Sequence, residues 1–77
     1  MLVLTFDHDY LLHLRDRTGL SQAHLARALD LSPTLLHNWE RGKNAPSGGH
    51  LVKLAEYFGL HPRDFFEEES INWGGDV

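Results

Sequence analysis

Apolar residues recur along this chain at helical spacing, in blocks separated by residues that break helices. Tyr10, Leu11 and Leu14 mark the first block, since side chains three and four apart share one helix face. Asp7 and Asp9 suit a helix N-terminus, and Thr18-Gly19 ends the block with a residue that accepts a left-handed cap. Ser21 caps a second helix, with Leu25, Ala26 and Leu29 inward and His24 and Arg27 outward. After a turn at Asp30-Leu31, Ser32-Pro33 opens a third helix with a cap residue and a proline at the first helical position, and Gly42 closes it. The breaker-rich loop Lys43-Asn44-Ala45-Pro46-Ser47-Gly48-Gly49 follows. A fourth helix carries Leu51, Leu54, Ala55 and Phe58 in one stripe and ends at Gly59. His61 to Phe66 reads as a short fifth helix. The opening MLVLTF is apolar and suits a short strand or an ordered arm alike. The predicted fold class is all-α, a compact bundle of four to five helices. Residues 1–6 form the arm or strand, 7–66 the helical domain, and 67–77 an acidic, flexible tail.

Two of these helices, joined by a turn of about four residues, have the geometry that pushes one helix into the major groove of DNA. On a wheel of 100° per residue, Leu36, Trp39 and Glu40 share the inner side of the third helix. Thr34, His37, Asn38 and Arg41 share the outer side, and Leu35 lies on the border. An inward carboxylate needs a partner, and Arg15 at the end of the first helix is the candidate for a structural ion pair with Glu40. The outer ridge is the surface a groove would meet. Asn38 suits a bidentate contact with adenine, and the methyl groups of Thr34 and Leu35 suit the thymine methyl.

The net charge of −4 opposes a nucleic-acid reading until its distribution is considered. All seven Lys and Arg residues lie between Arg15 and Arg63, where four acids oppose them and leave +3. The remaining seven acids lie towards the chain ends. The middle of the chain is therefore basic and its ends acidic.

Other chemistry finds little support. The six histidines form no i, i+4 pair and there is no cysteine, so neither a metal site nor a disulfide framework is expected. No paired-carboxylate cleft, nucleophile with a nearby base or glycine-rich phosphate loop is evident, so no enzyme activity and no cofactor are expected. No stretch is long and apolar enough for a membrane span, and the N-terminal apolar run is too short for a signal peptide. A soluble intracellular protein is expected.

From residue 14 to residue 66 the chain resembles the Cro-and-phage-repressor (XRE-like) helix-turn-helix regulators. The resemblance rests on Leu14-Arg15, Gly19-Leu20-Ser21-Gln22, Leu25-Ala26, Leu31-Ser32, Trp39-Glu40-Arg41-Gly42, Pro46-Ser47, Leu54-Ala55 and Phe58-Gly59-Leu60, in one unbroken register. It implies a lambda-repressor-like bundle whose second and third helices bind double-stranded DNA, usually as a homodimer on a palindromic operator. It further implies that Thr34, Leu35 and Asn38 read bases, with His37 on the same ridge. Gln22, Ser32, Arg41, Lys43, Asn44 and Ser47 would hold phosphates, and Arg15 and Glu40 match a buried ion pair of the phage repressors. A cytoplasmic, nucleoid-associated regulator of bacterial or phage origin is implied.

There are departures from the family pattern. Asp30 replaces the usual turn glycine, though Asp tolerates positive φ better than most residues. Gly48-Gly49 replaces better helix formers, and Leu35 is apolar where relatives often carry a polar group. The expected function is a sequence-specific transcriptional regulator, foremost a homodimeric repressor. The alternatives are an antitoxin with a protein partner at the termini, or a protein-interaction adaptor that has kept the fold without DNA affinity. Leu2, Leu4, Phe66, Ile71 and Trp73 form the pool for a dimer surface.

Overall fold

The computed structural model describes residues 2–70. Strand β1 (Leu2–Phe6) is followed by helices α1 (His8–Thr18), α2 (Gln22–Ala28), α3 (Pro33–Glu40) and α4 (Gly48–Phe58). A 3₁₀ turn (Pro62–Phe65) then leads into strand β2 (Phe66–Ser70). The helices form where the apolar stripes place them, and local chemistry sets their ends. Asp7 accepts the Tyr10 amide at the start of α1, Ser21 that of His24 and Ser32 that of Leu35. Gly19 and Gly59 end α1 and α4 in the left-handed conformation. The expected fifth helix is a single 3₁₀ turn, because Phe66 already belongs to a strand.

The helical bundle carries a small sheet. β1 resolves the choice between strand and arm, and it pairs antiparallel with β2, Leu2 opposite Ser70 and Phe6 opposite Phe66. Residues 67–70, expected to begin the flexible acidic tail, are therefore strand. Glutamate has low strand propensity, but an apolar partner strand and anchoring aromatics override that local preference. Ile71 and Trp73 of the proposed dimer pool lie outside the described residues.

The core runs through every helix. Leu11, Leu25, Ala26, Leu36, Trp39, Leu54, Ala55 and Phe65 are almost fully excluded from solvent, with Leu29, Leu51 and Phe6 around them. Phe58, expected in the core, is half-buried against it. Burying each of the larger side chains stabilises the fold by about 1.5–3 kcal/mol relative to exposure. An aromatic cluster fastens the sheet to this core. The Phe6 ring stacks on Phe65 and meets Phe66 edge-on, both at 6.2 Å between centroids, and Tyr10 contacts Phe65 at 5.8 Å. The Asp7 amide donates to the Phe65 carbonyl at 2.7 Å, continuing the ladder to the first turn of α1.

Candidate nucleic-acid interface

Helices α2 and α3 are joined by residues 29–32. The chain reverses there through Asp30, which has a φ of 57° and is the single non-glycine residue with positive φ among the described residues. The Asp30 amide donates to the Arg27 carbonyl and the Leu31 amide to the Ala26 carbonyl, so the end of α2 is satisfied within the turn.

One buried carboxylate holds this unit to the rest of the domain. Glu40 is 5% exposed and is the one buried charged residue among those described. Arg15 donates to it through Nε at 2.6 Å and Nη2 at 2.9 Å, the paired geometry that suits guanidinium and carboxylate. The third arm of the guanidinium, Nη1, donates to the Leu20 carbonyl at 2.8 Å and so braces the turn between α1 and α2. The predicted ion pair is thus present. The hydrogen bond to Glu40 raises the Arg15 pKa above its already high ordinary value, against the opposing effect of burial. A raised basic pKa gives stability that is present throughout neutral pH and lost only as pH climbs past the folded-state value. Arg15 therefore remains charged under every ordinary assay condition.

Gln22 joins the same centre. Its side-chain amide donates to Glu40 Oε1 at 2.8 Å and reaches His37 Nδ1 at 3.4 Å. The family resemblance implies a phosphate contact for Gln22 and gives no sign of this inward bond. Three donors on one carboxylate tie α1, α2 and α3 together and fix the angle at which α3 presents its outer face. From the other side, His8 Nδ1 donates to the Glu40 carbonyl at 3.3 Å. The His8 ring also lies 2.9 Å from where a Cβ on Gly42 would sit, so Gly42 serves both its φ of 74° and this close approach. That contact has no signature in the sequence beyond the glycine itself.

The outer ridge is where the wheel places it. Thr34, His37 and Arg41 are exposed and Asn38 is half-buried. Leu35 is half-buried and packs against the core, which leaves only part of its side chain facing outward. Ser32 uses its oxygen as acceptor for the Leu35 amide, and its own hydroxyl proton is left to donate elsewhere. Beyond α3, the Lys43 amide donates to the Asn38 carbonyl at 2.9 Å, while Arg41, Lys43 and Asn44 stand exposed at one end of the ridge. Ser47 occupies the N-cap position of α4, and its hydroxyl lies 3.0 Å from His50 Nδ1 rather than on a backbone amide. Among the described residues there is no group of three or more His, Cys, Asp or Glu suited to a metal, and no helix long and apolar enough to cross a membrane.

Comparison with known proteins agrees with this geometry. A helix-turn-helix family matches residues 11–65. Antitoxin HigA-2 of Vibrio cholerae is 32% identical over 59 residues, which cover 77% of this chain and 56% of that protein. The chain thus spans little more than half the length of that relative. The crystal structure of the restriction-modification controller protein C.AhdI from Aeromonas hydrophila superposes with a TM-score of 0.70 at 34% identity, over 77% of this chain and 89% of that one. The caps of α2 and α3, the turn, the buried ion pair and the outer ridge all fall within the matched span, and the chain belongs to the XRE-type helix-turn-helix family.

Proposed function

We propose that the protein is a sequence-specific DNA-binding transcriptional regulator, acting as a homodimeric repressor that places α3 in the major groove. The observation that carries this reading is the polar ridge of α3, held at a fixed angle by the Glu40 carboxylate and its three donors. Thr34, His37 and Asn38 read base edges, with Leu35 at the margin. Ser32, Arg41, Lys43, Asn44 and Ser47, with the amides at the N-termini of α2 and α3, set register on phosphates, and Gln22 would join them only by giving up its bond to His37. Two such domains would read half-sites about one helical turn apart, roughly 34 Å. The neutral-to-acidic remainder of the surface limits non-specific attraction to DNA.

Sites selected from a random duplex pool test this directly. Binding to them should weaken steeply with salt, with a log–log slope of about −0.9 per phosphate contacted. Absence of binding to any duplex at low salt would leave the adaptor reading instead. A second reading is favoured by the antitoxin relative. In it the same helices bind an operator while the chain also neutralises a toxin. Co-purification with a small protein encoded next door would distinguish it from a free-standing repressor.

A further inference from the structure

Among the described residues the two-stranded sheet has two open edges of opposite character. β2 carries Glu67, Glu68 and Glu69, the charged kind of edge that discourages strand addition. β1, Leu-Val-Leu-Thr-Phe, carries no charge and no proline. Leu4 at its centre is 55% exposed, the highest value among the exposed large hydrophobic residues. Natural edge strands are usually protected by charge, proline or a further strand, and among the described residues this one has none of these.

The ladder determines which backbone groups face that edge. Asp7 donates to Phe65 directly beyond the Phe6–Phe66 pair, so Asp7 directs its backbone at the other strand. In an antiparallel ladder alternate residues do the same. Thr5 and Val3 therefore bond towards β2, while the N–H and C=O of Phe6, Leu4 and Leu2 point to the open side. On that side lies a cleft of about 360 Å³, lined by Thr5, Phe6, His8, Gly42, Asn44 and Ala45. Residues from both faces of β1 line it and none from β2 does, so it borders the open edge.

We infer that β1 is the seat of self-association: two copies pair antiparallel through their β1 edges, about a two-fold axis at Leu4. This rests on the homodimer reading above and gives it a surface. An isologous pair needs a strand that is its own complement. With Leu4 opposite Leu4 of the second copy, their N–H and C=O groups exchange two hydrogen bonds and Val3 falls opposite Thr5. The start of the copy's strand runs along the cleft at the Phe6 end. The result is a four-stranded sheet, ordered β2, β1, β1, β2, with glutamates confined to its outer edges. Pairing through β2 is disfavoured, because the same symmetry would set Glu68 against Glu68.

The test uses the full chain with Leu4→Lys and Leu4→Glu, followed by analytical ultracentrifugation, with circular dichroism to check the helical body. Each variant alone should dimerise at least about tenfold more weakly than wild type, because like charges face each other across the axis. An equimolar mixture should restore dimers through the Lys–Glu pair, a result that misfolding cannot produce. Amide exchange gives a second readout. Protection at Leu4 and Phe6 should rise with protein concentration, while Thr5 is protected at all concentrations. Wild-type-like dimers from both variants, or no rescue on mixing, would overturn the assignment and leave the homodimer intact. A wild type that binds DNA yet stays monomeric at high concentration would overturn both.

Discussion

Replacing Arg15 by Met would strand the Glu40 carboxylate inside the protein. In the native domain that carboxylate has three donors and a side chain only 2% exposed. Arg15→Met removes two of them and leaves Oε2 without a donor, while the Leu20 carbonyl loses its bond as well. Breaking one side of a buried ion pair costs about 3–5 kcal/mol. At about 0.05–0.15 kcal/mol per residue, a domain of 77 residues has roughly 4–12 kcal/mol in total. The single substitution thus removes a large share of the fold's stability. Adding Glu40→Leu to Arg15→Met removes the stranded charge and returns an apolar group to an apolar site. The double variant should therefore recover at least about 2 kcal/mol over Arg15→Met alone. Urea unfolding of wild type, both single variants and the double variant, followed by circular dichroism, measures the cycle. If the double variant loses the sum of the two single losses, Arg15 and Glu40 act independently and the proposed clamp on α3 does not exist.

Three further outcomes follow from the same structure. Asn38→Ala should cost about 1–3 kcal/mol on a selected operator and relax specificity at one base pair, whereas an equal loss on all sequences in a binding competition would contradict base reading. Lys43→Ala should weaken all duplexes alike and flatten the salt slope by about 0.9, read from titrations at several salt concentrations. Asp30→Gly relieves a left-handed side-chain conformation and should raise stability by up to about 1 kcal/mol, whereas Asp30→Ala should lower it, both measured by thermal unfolding.

What the sequence made legible is what is local. Ser21, Ser32, Gly19 and Gly59 cap helices through atoms a few residues away, so their roles can be read along the chain. The Arg15–Glu40 pair is distant in sequence. It was legible because the helical wheel turned a charge inward, which demands a partner, and because the family register pairs the same two positions. The Gln22 bond to Glu40 was hidden, since a half-buried amide at a helix start looks the same whether it points in or out. The sheet was hidden for a different reason. Strand β2 is mostly glutamate, and its propensity argues for a solvated run. Only its pairing with an apolar strand at the far end of the chain, fastened by Phe6, Phe65 and Phe66, makes it a strand. Leu35 was ambiguous on the wheel, and it lies half-buried against the core.

Pairing Leu2 with Ser70 also joins β1 to a strand synthesised well after it. At about 5–20 residues per second, β1 waits roughly 3–14 s for its mate to be made. The helices close over short separations and need no such delay, so the recognition unit can assemble while the ribbon cannot. A chain interrupted before Phe66 would keep α2 and α3 but never present an ordered β1 edge. Under the proposed pairing the ribbon works as a length gauge, reserving self-association for chains whose translation has run past β2.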